Sequence, residues 1–135
     1  MKKNYLVSIL LLFIFLQNVG AQNNKPTLEL ATFLKAKKKV KDPVITVLDK
    51  EGQKVDLKTG TTEAGRVLLY FPFSNTYNVI VEREGYVTIN FVVNTELPSS
   101  QKAENMSSDL DLKMIEQPVD GSKETIDKPV AKVNY

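Results

Sequence analysis

The sequence contains no cysteine, no histidine and no tryptophan. Without cysteine there is no disulfide, no thiol nucleophile and no thiolate metal ligand. Without histidine there is no imidazole base and no ordinary zinc or copper site. The fold must therefore be held by burial and strand pairing alone, and any chemistry is confined to carboxylates, hydroxyls and amines. A serine–lysine pairing remains formally open, but no Ser-x-x-Lys stands on a helical segment, and "GSKET" falls in the polar C-terminal stretch. Catalysis is not expected, and no cofactor or metal is expected either.

A surplus of one charge is also lacking. The formal net charge is +2, and Lys2 and Lys3 sit in an opening stretch with its own reading. "MKKNYLVSILLLFIFLQNVGAQ" has two lysines, an apolar run from Leu6 to Leu16 broken by Ser8, and small residues before Gln22. That is the form of a secretory signal peptide cleaved after Ala21. The run is shorter than the roughly 20 apolar residues a spanning helix needs, so the mature chain from Gln22 is expected to have no transmembrane span and to be neutral. Nucleic acid is then not an expected partner. An exported, disulfide-free protein fits a bacterial cell envelope.

Helical periodicity is missing after the leader. What is present instead is a series of short runs rich in Val, Ile, Leu, Phe and Tyr, separated by Gly, Pro, Asn or Asp. This pattern predicts antiparallel strands at Thr27–Lys35, Val44–Leu48, Lys54–Lys58, Arg66–Phe71, Tyr77–Glu82, Tyr86–Asn94, Asp109–Ile115 and Val130–Asn134. The expected organisation is a leader at 1–21, a β-sandwich at 22–117 with a flexible loop near 95–108, and a polar, weakly patterned tail at 118–135 that is either unordered or docked as an added edge strand.

Two turns have a mechanism. "LDKEGQ" and "VEREGY" each set an acidic residue, a cation, Glu and Gly in order, which predicts a type I turn closed by a G1 bulge. Register follows from the bulge. In the first hairpin Val47 should face Val55 and Ile45 should face Leu57; in the second, Glu82 should face Tyr86, Val81 Val87, Val79 Ile89 and Tyr77 Phe91. Each hairpin then has one apolar face.

The order strand, "DKEG", strand, "TGTTEAGRVLLYF", "YNVIVEREGY", strand resembles the carboxypeptidase regulatory-like domain, a prealbumin-like sandwich found in exported bacterial proteins. Thr61, Gly65 and Val67 match that family's element before a central strand, and Tyr77, Val79, Val81, Gly85 and Tyr86 match its next hairpin. The resemblance implies an all-β, antiparallel, prealbumin/Ig-like sandwich of about seven strands. It also implies a non-enzymatic, periplasmic or outer-membrane-associated accessory or scaffold subunit that binds another cell-envelope or outer-membrane protein; a carbohydrate-binding or adhesion module is the alternative. Prealbumin-like enzymes that open a purine-derived ring depend on histidines, which this chain lacks.

Candidate contacts follow from the second hairpin. Its bulge puts Tyr86 outside the main core, on an outer face shared with Ile80, Asn78 and Asn90. Phe73, in the aromatic stretch "LLYFPFSNTY", is read either as a lid on the sandwich or as a displayed aromatic that binds glycan or protein. Asp109 and Asp111 lie two apart on a strand and so share a solvated face rather than a calcium loop. The run "KAKKKVK", with five lysines from Lys35 to Lys41, can meet phosphate-bearing lipid or an acidic partner. The favoured reading is a connection kept soluble and discouraged from edge pairing.

Overall fold

Alternation of apolar and polar residues resolves into eight strands, and no helix occurs among the described residues. The computed structural model describes residues 25–135, so the expected leader and its expected cleavage point lie outside the described residues. The strands are β1 (Thr27–Lys35), β2 (Val44–Leu48), β3 (Lys58–Thr61), β4 (Val67–Pro72), β5 (Thr76–Glu82), β6 (Ile89–Asn94), β7 (Met106–Lys113) and β8 (Ala131–Asn134). They form two four-stranded sheets, ordered β3-β4-β1-β7 and β2-β5-β6-β8. No helix among the described residues is long and apolar enough to cross a membrane.

Both sheets are mixed, which corrects the expectation of a purely antiparallel arrangement. β7 runs parallel to β1, and β8 runs parallel to β6. Alternation specifies which face of a strand is buried but says nothing of its neighbour's direction. The long connections 95–105 and 114–130 return the chain far enough to place parallel neighbours, as a tight hairpin cannot.

The first predicted turn is present. Gly52 has φ +79° and its N–H donates to Asp49 O at 3.0 Å, while Asp49 N–H donates to Gln53 O at 2.9 Å. Asp49 Oδ1 also accepts from the N–H groups of Glu51 and Gln53, and Val55 N–H donates to Val47 O at 2.8 Å. Ladder pairing ends there, so Lys54–Lys58 is not a strand. The half-buried Val55 and Leu57 pack on the core margin as the chain crosses to the other sheet, where β3 pairs with β4.

A turn of the same kind joins β3 to β4. Gly65 has φ +80°, its N–H donates to Thr62 O, and Thr62 N–H donates to Arg66 O, each at 2.9 Å. Thr62 Oγ1 accepts from Arg66 N–H, as Asp49 does in the first turn. "TEAG" carried the same signal as "DKEG", an oxygen-bearing residue followed three positions later by glycine.

The second predicted hairpin forms with its register moved by two residues. Val81 pairs with Ile89, Val79 with Phe91 and Tyr77 with Val93. Gly85, at φ +84°, occupies the third position of a turn closed by Tyr86 N–H donating to Arg83 O at 3.0 Å. That is the position where a type II turn needs glycine, so the loop widens instead of closing on a bulge. Tyr86 therefore does not face Glu82; it bridges Glu116. An even shift keeps every side chain on its face, and Tyr77, Val79, Val81, Ile89, Phe91 and Val93 are all buried.

The sheets share one buried cluster. Leu28, Leu30, Leu69, Phe71 and Leu112 from the first meet the inner residues of β5 and β6 from the second. The Phe71 and Tyr77 rings lie 5.1 Å apart. Burying Phe71 and Phe91 fully contributes about 2–3 kcal/mol each. One end of this core is closed by polar groups around Thr95, which is 0% exposed. Its hydroxyl lies 2.9 Å from both Pro72 O and Asn75 O and accepts from Asn75 N–H. Tyr77 Oη donates to the same Pro72 carbonyl at 3.1 Å. Burial pushes the Tyr77 phenol above its ordinary pKa.

Candidate functional site

On the outward side of the second sheet, alternation leaves a face that is neither apolar nor well solvated. Its strand register lines residues up in two rows: Thr46, Ile80 and Asn90 in one, Leu48, Asn78 and Val92 in the next. All six are half-buried. The side-chain oxygens Oδ1 of Asn78 and Asn90 are buried and have no hydrogen-bond partner. A strand face built for water would carry charged side chains here; this one carries two amides wedged among Leu48, Ile80 and Val92. An unpaired buried polar atom costs about 1–3 kcal/mol, so the face holds unused hydrogen-bonding capacity at a stability cost.

Tyr86 stands beside this patch rather than in its centre. It is half-buried and packs at the margin of the core, while Val87 beside it is 1% exposed and Thr88 is exposed. Val87 N–H donates to Ile115 O at 2.7 Å, and Gln117 N–H donates to Gly85 O at 2.9 Å. The C-terminal segment thus pairs with the widened loop. Gln117 also clamps Glu124, donating to its carbonyl at 3.2 Å and accepting from its N–H at 3.0 Å. Together these contacts form a groove of about 740 Å³ lined by Tyr86, Thr88, Asn90, Gln117, Glu124 and Ile126, among others.

The structure therefore brings Tyr86 and Asn90 into one groove, with Ile80 and Asn78 on the adjoining patch. It does not bring Phe73 to them. Phe73 precedes β5 and Tyr86 follows it, so the length of that strand, roughly 20 Å for seven residues, separates the two. Phe73 is half-buried against the core beside the Thr95 hydrogen bonds.

The outward face of the first sheet is organised differently, by ion pairs. Asp111 is held by Lys35 Nζ at 2.7 Å and by Arg66 Nη1 at 3.0 Å. Hydrogen bonds from Lys35 and then Arg66 hold its carboxyl below the usual carboxylate range. The Arg66 guanidinium also lies 5.4 Å from the Phe33 ring centroid. Asp111, exposed as expected, thus ties β1 and β7 to the turn that leads into β4. Nothing local in the sequence points Arg66 at a residue 45 positions away.

No protein-family model matches the chain, and no curated protein matches it.

Proposed function

We propose that this chain is a non-enzymatic, exported accessory or scaffold subunit of a bacterial cell-envelope complex, and that it binds its protein partner through the outward face of the β2-β5-β6-β8 sheet. The observation that carries this reading is the pair of buried, unpartnered amide oxygens of Asn78 and Asn90 on a half-apolar patch. The leader-like opening and the lack of both histidine and cysteine support export and a non-catalytic role. The regulatory-like, prealbumin-like sandwich is the fold family this reading goes with.

A four-stranded face of this length covers roughly 400 Å², from strand spacing and rise. A stable interface takes about 800 Å² per partner. The patch is then the centre of the interface, and the groove beside Tyr86 supplies its flank.

Crosslinking followed by affinity capture of the tagged protein, from the cells that make it, tests this. The native protein should bring down an envelope protein, and Ile80→Glu should lose it while keeping the native far-UV spectrum. Capture that survives Ile80→Glu and Asn90→Asp unchanged moves the interface elsewhere. A second reading, a carbohydrate-binding or adhesion module, is favoured by the groove itself, where the Tyr86 ring stands near Thr88 and Gln117. It requires Tyr86→Ala to weaken glycan retention at unchanged melting temperature.

A further inference from the structure

The lysine run lies at the end of the molecule where β1, β3 and β7 finish and β2 and β4 begin. The connection 36–43 crosses there from the first sheet to the second and forms a ridge between two clefts. One cleft is lined by Lys35, Ala36, Lys37, Lys113, Ile115 and Val119. The other takes in Leu34, Lys38, Lys39, Val40, Lys41 and Pro43. Lys35 is paired with Asp111; Lys37, Lys38, Lys39, Lys41 and Lys113 form no ion pair among the described residues.

A run present only for solubility would be bordered by polar residues. Here it borders bare aliphatic side chains, with Val119 fully exposed and Ile115 41% exposed. Val119 stands just before a turn in which Asp120 Oδ1 accepts from both the N–H and the hydroxyl of Ser122 and Gly121 takes φ +83°. Two carboxylates oppose the lysines along the cleft walls, Asp42 and Glu116, and Asp120 adjoins Val119. The five unpaired lysines outweigh these three.

We infer that this end of the sandwich docks on an anionic lipid surface, with the lysines of the 36–43 connection and Lys113 on headgroup phosphates and Val119 and Ile115 entering the interfacial layer. Charge complementarity and bare aliphatic tips on one ridge are what a bilayer interface rewards. Compact ammonium groups on flexible stems reach scattered phosphates, and short apolar side chains enter without a preformed pocket. Phosphate of the lipid is the ligand; a soluble acidic protein would leave Val119 and Ile115 without a hydrocarbon phase to enter. The surface adjoins the Tyr86 groove, with which it shares Asp42 and Gln117, but Lys37, Lys38, Lys39 and Val119 lie off the β2-β5-β6-β8 sheet face, so either proposal can fail alone.

Sedimentation with vesicles tests this, using the protein purified from the cells that make and process it. Vesicles of phosphatidylcholine containing phosphatidylglycerol should carry the protein down, vesicles of phosphatidylcholine alone should not, and high salt should release it. Replacing Lys37, Lys38 and Lys39 together by Gln should weaken binding about a hundredfold, from about fivefold per lysine near an anionic surface. Val119→Asp should weaken it several-fold without moving the melting temperature, because Val119 packs against nothing. A matched change at the opposite end, Lys50, Lys54 and Lys102 to Gln, should leave it intact. Equal binding to neutral vesicles, no binding to either, or equal loss in both lysine triples overturns the inference.

Discussion

Asn78 and Asn90 set the sharpest test of the proposed interface, because their presence should lower the stability of the isolated chain. Each is replaced by Val, singly and together. The oxygen of each amide is buried and has no partner, and leaving such a group unpaired costs about 1–3 kcal/mol. Val removes that cost and suits a strand better, by up to about 1 kcal/mol. Against this stands the loss of the amide's contacts with water, since both residues are only half-buried. The expected net gain is about 1 kcal/mol per substitution. The two positions are diagonal neighbours across the β5–β6 pair, roughly 7–8 Å apart, so the gains should nearly add. With a urea slope of about 1.5 kcal/mol/M, the double variant should unfold about 1.3 M later, followed by far-UV circular dichroism. Capture of the proposed envelope partner should fall in the same variants. If both single variants lose stability instead, the amides are satisfied by solvent, the face is ordinary sheet surface, and the reasoning behind the interface is refuted.

Two further outcomes follow from polar groups elsewhere in the fold. Tyr77→Phe and Thr95→Val each remove one hydroxyl from the Pro72 carbonyl, and the survivor can still serve it; the double variant leaves it unpaired, so its destabilisation should exceed the sum of the singles by about 1 kcal/mol, and a double-mutant cycle that closes within about 0.5 kcal/mol removes that account. The Asp111 carboxyl is held below its ordinary value of 3.8 by Lys35 and Arg66, so its contribution is present above that value and is lost as pH falls through the lower folded pKa. Acid unfolding curves of Asp111→Asn should therefore be flatter than those of the native protein below about pH 4, and coincident slopes would show that the pairs do not act on stability.

The boundaries of β1 and β2 were fully legible, because each is a run rich in strand-forming residues that ends at a lysine or at an Asp-containing turn. Faces were legible too: Leu110, Leu112 and Met114 turn inward and Asp109, Asp111 and Lys113 outward, as alternation requires. Partners were not. Val81 meets Ile89 rather than Val87 because a two-residue slip leaves the apolar face unchanged, so the pattern cannot discriminate between the two registers. Lys54–Lys58 looked like a strand because Val55 and Leu57 alternate with polar residues. The same alternation serves a chain crossing the core margin. Of the candidate contacts, Tyr86, Asn90, Ile80 and Asn78 come from one hairpin and stay near one another, whereas the position of Phe73 depends on the strand between them. Val119 gave no signal, since its exposure depends on how the tail packs.

The parallel pairing of β1 with β7 also bears on how this chain reaches its fold. Thr27 N–H donates to Asn105 Oδ1, 78 residues further on, and β1 sits between β4 and β7 in its sheet. The first strand made is therefore left with an open edge until most of the chain is available. Closing so large a loop is entropically slow, and no disulfide exists to hold a partial structure. The β3–β4 and β5–β6 hairpins, closed by short local connections, are the pairings expected first, and β7 and β8, made last, are expected to complete the two sheets afterwards. A chain that folds in that order stays open to a protease or a chaperone until its last third has arrived, and truncation within β7 should leave a collapsed state without a completed first sheet.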